Sequence, residues 1–184
     1  MEHDSLNALT PAGACLREDL TTGDLGMSLR ICYNCSTCST ACPVALETGG
    51  KFNPRSIIQL ANCGFEDRII IDLEPNVWDC TMCEICQEVC PQNVDLHGIF
   101  VTVKNAAAEY SNIPESYTSE TGQVYQFGKA VPLQPAIVKR REQLGLPPSI
   151  DANVNEIQLL MNLSGAKAIL DAVEKKKATM EESN

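Results

Sequence analysis

The sequence predicts a mainly α-helical protein whose first half carries two cysteine-rich segments. Apolar residues recur at helical spacing in several stretches, and no stretch shows the convincing alternation that is typical of a strand. Eight of the ten cysteines fall into two groups that share one spacing. With 184 residues, the chain is long enough for one generous domain or two small ones.

The charge balance excludes several classes of partner. Acidic residues outnumber basic ones by 24 to 14, which gives a formal charge of −10. We therefore expect no nucleic acid partner and no adhesion to an anionic membrane surface, since both need a basic face. The longest apolar runs, such as Ile69 to Ile71, are too short to span a bilayer, and Met1 to Asp4 is unlike a signal peptide. These features predict a cytoplasmic protein, in which clustered cysteines hold metal or do redox work.

The two cysteine groups both follow the pattern C-x2-C-x2-C-x3-C-P. The first group is Cys32, Cys35, Cys38 and Cys42, followed by Pro43, and the second is Cys80, Cys83, Cys86 and Cys90, followed by Pro91. This is the spacing of the bacterial two-cluster ferredoxins, in which the fourth cysteine of each motif ligates the other cluster. The pattern predicts one [4Fe–4S] cluster on Cys32, Cys35, Cys38 and Cys90, and a second on Cys42, Cys80, Cys83 and Cys86.

Disulfides, zinc and accidental core cysteines are weaker interpretations of these motifs. The reducing compartment disfavours disulfides, and zinc sites with paired C-x2-C elements leave the third and fourth spacings unexplained. The remaining cysteines lie outside the motifs. We expect Cys63 to be a small buried hydrophobic residue and Cys15 to lie in a loop-like N-terminal segment, both without a redox role.

The segment that separates the two motifs has the signals of helices. Asn53 is a good N-cap, Pro54 suits the first helical position and Gly64 suits the C-terminal cap. A short helical turn is predicted from Glu66 to Ile71, before Pro75. After the second motif, Asp95 can cap a helix that reaches Tyr110. The apolar stripe of that helix is more typical of a core than of a cofactor site, and it comprises Ile99, Val103, Ala106, Ala107 and Tyr110.

The C-terminal third of the chain predicts a helical extension. We interpret residues 111–122 as a polar linker or surface loop, 136–144 as a short helix, and 155–180 as a helical stretch broken near Gly165. The apolar face of the last stretch suits either docking on the cysteine-rich domain or contact with a partner protein. The predicted organisation is a segment over residues 1–28, a cluster-binding domain over 29–110, and the extension over 111–184.

No catalytic motif accompanies the cysteines. The sequence has no glycine-rich dinucleotide fingerprint, no phosphate loop and no local nucleophile–base arrangement, and His97 has no catalytic constellation beside it. A cubane with four cysteine ligands has no open iron for a substrate, so the expected chemistry is the transfer of single electrons.

The charges in the motifs predict a difference between the two clusters. No charged residue lies between Cys32 and Cys42, whereas Asp79, Glu84 and Glu88 lie in or beside the second motif. Because carboxylates oppose the addition of an electron, we expect the second-motif cluster to have the lower reduction potential.

The chain resembles the α-helical ferredoxin family, which includes iron–sulfur subunits of succinate dehydrogenase, glycolate oxidase and heterodisulfide reductases. The stretch from Leu29 to Cys38, the pair Cys42–Pro43 and the stretch from Trp78 to Cys83 are most similar to the C subunits of the soluble CoB–CoM heterodisulfide reductases of methanogenic archaea. The chain length and the stretch from Leu144 to Pro147 are also similar. This resemblance implies an α-helical ferredoxin domain with two [4Fe–4S] clusters.

Two absences narrow what the resemblance implies. The sequence has no repeated Cys-Cys-Gly motif, which family members that reduce the disulfide carry, and no plant-type [2Fe–2S] cysteine set of the succinate dehydrogenase kind. The resemblance therefore implies a non-catalytic relay protein within an oxidoreductase complex. It would pass electrons from an A subunit, which bears flavin and iron–sulfur clusters, to a Cys-Cys-Gly catalytic B subunit, which reduces the CoM-S-S-CoB heterodisulfide.

The same resemblance implies a role in methanogenesis by flavin-based electron bifurcation, with a hydrogenase or a formate dehydrogenase supplying the electrons. Two alternatives remain open at this point. One is a free two-cluster ferredoxin, and the other is a relay subunit of a glycolate- or lactate-type dehydrogenase.

Overall fold

The computed structural model describes residues 23–131, 133–147 and 152–182, and it divides the chain into two compact units between Asn112 and Ile113. No strand occurs in these ranges, which confirms the predicted helical fold class. Cys15 and most of the predicted N-terminal segment lie outside the described residues. The helices of the first unit are α1 (Gly23–Arg30), α2 (Thr37–Thr40), α3 (Pro43–Glu47), α4 (Pro54–Cys63), α5 (Glu66–Ile70), a 3₁₀ turn (Val77–Asp79), α6 (Ile85–Glu88) and α7 (Leu96–Glu109). Those of the second unit are α8 (Glu115–Phe127), α9 (Pro135–Gln143), α10 (Val154–Leu163) and α11 (Ala166–Glu182).

Helix α4 begins and ends where the sequence predicts. The Asn53 side chain accepts a hydrogen bond from the backbone N–H of Ser56 at 3.2 Å, and Pro54 occupies the first turn, where it has no N–H to satisfy. The helix ends at Gly64, whose φ of 79° lies in the left-handed region that glycine adopts without strain. The short helix α5 follows and ends before Pro75, also as predicted.

Helix α7 supplies the largest part of the core wall. Asp95 caps it by accepting a hydrogen bond from the backbone N–H of Gly98 at 2.9 Å. Ile99, Val103 and Ala107 are fully buried on one face, as the apolar stripe predicts. Tyr110 is 39% exposed, so the stripe ends one turn earlier than expected.

The core of the first unit lies between α4, α5 and α7, with α1 packed against α4 and α7. Its largest side chains are fully buried, and each such apolar side chain contributes about 1.5–3 kcal/mol relative to exposure. They are Leu29, Phe52, Ile57, Ile58, Ile69, Ile70, Val77, Val94, Leu96, Ile99 and Phe100. This core fixes the two cysteine segments, which run along its edge.

The two cysteine motifs share one backbone path, repeated after 48 residues. Asn34 and Met82 have φ of 70° and 56°, and Ser36 and Glu84 have φ of 69° and 63°. Each of these left-handed turns lies at the same place in its motif, and each motif then forms a one-turn helix, α2 or α6. A left-handed residue costs a non-glycine side chain about 1–2 kcal/mol. Both motifs therefore adopt the same strained, sharp curl, which bends the chain around a centre.

The second unit is a small helical bundle in which α8, α10 and α11 pack against one another. Leu170 and Val173 of α11 are its buried apolar residues. At the end of α8, Gly128 has φ of 67°, and an added Cβ would lie 2.7 Å from the Cβ of Ala152, so glycine is required there. Within the described ranges, every helix is too short or too polar to span a lipid bilayer.

The prediction of a loop over residues 111–122 is wrong, because α8 covers Glu115–Phe127. The polar composition of this stretch hides the helix. Thr118 and Thr121 donate hydrogen bonds from their hydroxyls to carbonyls one turn back, at 3.0 and 2.7 Å, so these side chains do not break it. Its stability comes from packing on α10 and α11, which local sequence does not reveal. The other two predicted helical stretches are confirmed as α9, and as α10 and α11 separated at Gly165.

Candidate iron–sulfur centres

The first cavity lies inside the curl of the first motif and has a volume of about 390 Å³. Four cysteines line it, namely Cys32, Cys35, Cys38 and Cys90. Ile58, Val94 and Leu96 form its apolar wall, and Arg55 is a charged residue at its lining. Three sulfurs thus come from the first motif and one from the second.

The second cavity lies inside the curl of the second motif and has the same volume, about 390 Å³. Its four cysteines are Cys42, Cys80, Cys83 and Cys86. Two aromatic rings, Phe52 and Phe100, stand in its wall, with ring centroids 6.4 Å apart in an edge-to-face arrangement. The structure thus gathers the eight motif cysteines into the two groups of four that the spacing predicts.

The donor set of each cavity fits a polynuclear cluster better than a single ion. In the part of the chain that the structure describes, no group of three or more His, Cys, Asp or Glu side chains is placed to hold one metal ion. The four sulfurs of each cavity instead surround a space without meeting at one point. A mononuclear zinc site needs four ligands at about 2.0–2.3 Å from one centre, whereas [4Fe–4S] cubanes take four thiolates on separate irons.

The fourth cysteine of each motif is held by a backbone hydrogen bond. The Cys42 sulfur, at the N-cap of α3, accepts from the N–H of Ala45 at 3.4 Å. The Cys90 sulfur accepts from the N–H of Val94, also at 3.4 Å. These bonds orient each sulfur toward its cavity, and hydrogen bonds to sulfur are among the factors that raise a cluster's potential.

The thiols differ in how easily they ionise. Burial raises the pKa of Cys86 from 9.0 to about 12, and it also raises the pKa of Cys38 and Cys80. At the surface, a hydrogen bond with Thr37 lowers the pKa of Cys35. The buried thiols are therefore protonated at neutral pH in the metal-free chain, and they would release protons when metal binds.

The exposure of the cysteines follows the repeat of the motifs. Cys35 and Cys83, the second cysteine of each motif, are both exposed. Cys38 and Cys86 are part-buried on α2 and α6, which pack against each other. Cys38 lies close enough to Cys86 for its charge to contribute to the raised pKa of Cys86. This arrangement offers each cavity one exposed sulfur and one sulfur directed toward the other cavity's motif.

Two further residues behave differently from, or in addition to, their prediction. Cys63 is exposed, so its expected burial is wrong. It follows Ile57, Ile58 and Ala61 at positions that turn it away from the buried face of α4. His97 lines the second cavity, and its Nδ1 lies 3.1 Å from Oε1 of Glu84.

Sequence reasoning missed the residues that approach the second cavity from α7 and the 3₁₀ turn. Lys104 donates from Nζ to the carbonyl oxygen of Cys80 at 2.8 Å, and its Nζ lies 5.6 Å from the centre of the Trp78 ring. Trp78 in turn donates from Nε1 to the carbonyl oxygen of Asn112 at 2.7 Å. These contacts join residues 24 and 34 positions apart, so no local motif signals them.

Comparison with known proteins agrees with this geometry. Residues 28–94 match the model of a 4Fe–4S dicluster domain, a range that contains both motifs. The chain is 34% identical over 124 residues to the second iron–sulfur C subunit of the CoB–CoM heterodisulfide reductase of Methanocaldococcus jannaschii, which covers 67% of this chain and 64% of that relative.

Two other relatives come from different methanogens. The C subunit of the H₂:CoB–CoM heterodisulfide,ferredoxin reductase of Methanothermobacter marburgensis is 32% identical over 146 residues, covering 76% of this chain and 77% of the relative. The C subunit of the ferredoxin:CoB–CoM heterodisulfide reductase of Methanosarcina mazei is 31% identical over 123 residues, covering 67% and 73%. The motifs, the helical fold and these similarities together show that the chain belongs to the family of iron–sulfur C subunits of the CoB–CoM heterodisulfide reductases.

Proposed function

We propose that the chain is an electron-relay subunit of a heterodisulfide reductase complex. The observation that carries this proposal is the pair of equal cavities, each lined by four cysteine sulfurs and walled by apolar side chains. Membership of the family of C subunits supplies the enzyme class.

The proposed ligands follow the crossed arrangement of the cavities. One [4Fe–4S] cluster takes Cys32, Cys35, Cys38 and Cys90, and the other takes Cys42, Cys80, Cys83 and Cys86. The lining of each cavity by these same four residues supports the assignment. When bound, such a cluster accepts and releases one electron at a time.

The protein around the cavities prepares them for this use. Ile58, Val94 and Leu96 exclude water from the first, and Phe52 and Phe100 do so for the second. Excluding water favours the less charged state of a cluster and protects it from hydrolysis. The exposed Cys35 and Cys83 bring each site to the surface, where a partner's redox group can approach.

We further propose a non-catalytic role within a cytoplasmic complex. Electrons would arrive from an A subunit with flavin and iron–sulfur clusters, and they would leave to a Cys-Cys-Gly B subunit that reduces the CoM-S-S-CoB heterodisulfide. In a complete assembly, hydrogen or formate would supply them and flavin-based bifurcation would couple this step to ferredoxin reduction. The relatives whose names include hydrogen, ferredoxin and heterodisulfide support this placement.

Co-purification tests the proposal directly. The tagged chain, expressed in its native host under anaerobic conditions, should retain a flavoprotein and a Cys-Cys-Gly protein that mass spectrometry can identify. A chain that purifies alone with full clusters would be a free two-cluster ferredoxin. Recovery with a glycolate or lactate dehydrogenase would replace the substrate but keep the relay role.

The isolated chain provides a second test. After reconstitution with iron and sulfide, it should exchange electrons with a viologen dye and leave the heterodisulfide intact. Reduction of the disulfide by the chain alone would contradict the non-catalytic role.

A further inference from the structure

Lys104 brings a positive charge to the second cavity from outside the motifs. Its ammonium donates a hydrogen bond to the carbonyl oxygen of Cys80 at 2.8 Å and lies over the ring of Trp78, 5.6 Å from the ring centre. The carbonyl and the face of the indole both favour a cation. The side chain is part-buried, so solvent and salt screen its charge less than that of a surface lysine.

The other charges near this cavity are mostly negative. Glu84 lines the cavity, and Asp79 directly precedes Cys80, where its carboxylate accepts a hydrogen bond from the Asn76 amide at 3.3 Å. His97 also lines the cavity, beside Glu84. Lys104 is therefore the lysine that opposes two carboxylates at the site of the second cluster.

The interaction between Lys104 and Cys80 also appears in their ionisation. Burial lowers the pKa of Lys104, while the Cys80 thiolate acts in the opposite direction and favours the ammonium. Reciprocally, burial raises the pKa of Cys80, and the charge of Lys104 favours the thiolate against that effect. A cluster ligated by four thiolates carries more negative charge than one thiolate, and each added electron increases it.

We propose that Lys104 is a positioning residue that sets the reduction potential of the second cluster, raising it by electrostatic stabilisation of the reduced state. The proposal rests on the proposed ligation of that cluster by Cys80. The alternative is a purely structural role, in which the hydrogen bond to the Cys80 carbonyl only holds the backbone in place.

Variants that separate charge from tethering test the proposal. Lys104→Met and Lys104→Gln remove the charge, and Lys104→Arg keeps it. Redox titrations of the reconstituted full chain, followed by paramagnetic resonance, should show the second cluster harder to reduce in both neutral variants. At a fixed potential we expect the ratio of reduced to oxidised second cluster to fall about tenfold, equal to about 59 mV for one electron. The Lys104→Arg variant should match the wild type.

The first cluster of the same samples is the internal control, and its potential should stay unchanged. An unchanged second potential in the neutral variants would overturn the proposal, as would equal shifts in all three variants. Loss of the second cluster from both neutral variants would show a structural role instead and would also overturn it. Failure of the chain to bind the two proposed partner proteins would sink the proposed function, but it would leave these potentials measurable.

Discussion

The two halves of the cluster-binding unit differ in what surrounds an almost identical backbone. Both motifs have left-handed residues at equivalent places, a one-turn helix, and a fourth cysteine that accepts one backbone hydrogen bond at 3.4 Å. Around the first cavity, the wall is aliphatic and its charged lining residue is Arg55. Around the second, two phenylalanine rings, Glu84 and His97 form part of the lining, and Lys104 lies against Cys80.

This comparison separates two tasks. The repeated backbone determines which type of cluster fits, because ligand number and spacing are the same in both halves. The unrepeated side chains determine how the two sites differ in potential, solvent access and stability. A relay needs both properties, since electrons move in one direction only if the two sites are not equivalent.

The largest expected effect breaks the crossed pairing of the motifs. Replacing Cys42 by alanine should damage the cluster of the second motif, and replacing Cys90 should damage that of the first. Each variant should keep roughly half of its iron and show one remaining paramagnetic signal after reduction. Metal binding contributes directly to folding, so both variants should also unfold more easily.

Cys63→Ala is the matched control for these variants, because Cys63 is exposed and lines neither cluster cavity. It should retain all iron. If Cys42→Ala lost only the cluster of its own motif, the crossed ligand assignment would be wrong.

The walls of the cavities should give the next largest effect. Phe100→Ala removes a buried ring from the second cavity and should destabilise the protein by about 3–5 kcal/mol in chemical denaturation. In air, its second cluster should bleach faster than its first. Ile58→Ala should reverse this order, since Ile58 lines the first cavity. The control Phe65→Ala, at a ring that is 54% exposed, should change neither stability nor bleaching by much.

The charges should order the two potentials. With Arg55 at the first cavity and two carboxylates against Lys104 at the second, we expect the second-motif cluster to titrate lower and to face the electron donor. One charge about 6 Å away at an effective dielectric constant of about 20 contributes at most about 2.8 kcal/mol, and screening by solvent and salt reduces this to roughly tens of millivolts.

Glu84→Gln sharpens this prediction by raising the second potential, while Glu109→Gln, at the far end of α7, should leave it unchanged. A first-motif cluster that titrates lower in the wild type would show that hydrogen bonds and burial outweigh these charges. A structure of the complex would show which cluster lies nearer the flavin.

The smallest expected effect comes from one hydroxyl. Thr37 Oγ1 lies 3.1 Å from the sulfur of Cys35, and the equivalent residue of the second motif is Ile85, which has no hydroxyl. Thr37→Val should lower the first potential slightly, and Ile85→Thr should raise the second, as hydrogen bonds to sulfur stabilise the reduced cluster. Titration of both variants against the wild type checks this, and shifts in the same direction would contradict it.

Features that depend on residues close in sequence were predictable. The cysteine spacing, the Asn53–Pro54 start and Gly64 end of α4, and the break at Gly165 all depend on a few neighbouring residues. The grouping of Cys90 with the first motif was predictable only because the spacing is typical of a known cluster arrangement.

Features that depend on distant contacts were not predictable. Helix α8 is polar and is stabilised by α10 and α11, so its own composition indicates a loop. Lys104 reaches Cys80 across 24 residues, and nothing in the apolar stripe of α7 distinguishes it from a solvent-facing lysine. Cys63 was assigned to a core by its apolar neighbours, although its angular position on α4 points away from them.

The 48-residue repeat bears on how such a protein can arise. A chain of half the length, with one motif, would hold three sulfurs around its own cavity and offer the fourth to a neighbour. Two copies would then complete two sites by reciprocal exchange, as in a domain-swapped dimer. Joining the copies in one chain replaces a concentration-dependent assembly with an intramolecular one. It also releases the two halves from symmetry, so that a substitution such as Thr37 against Ile85 alters one site without altering the other.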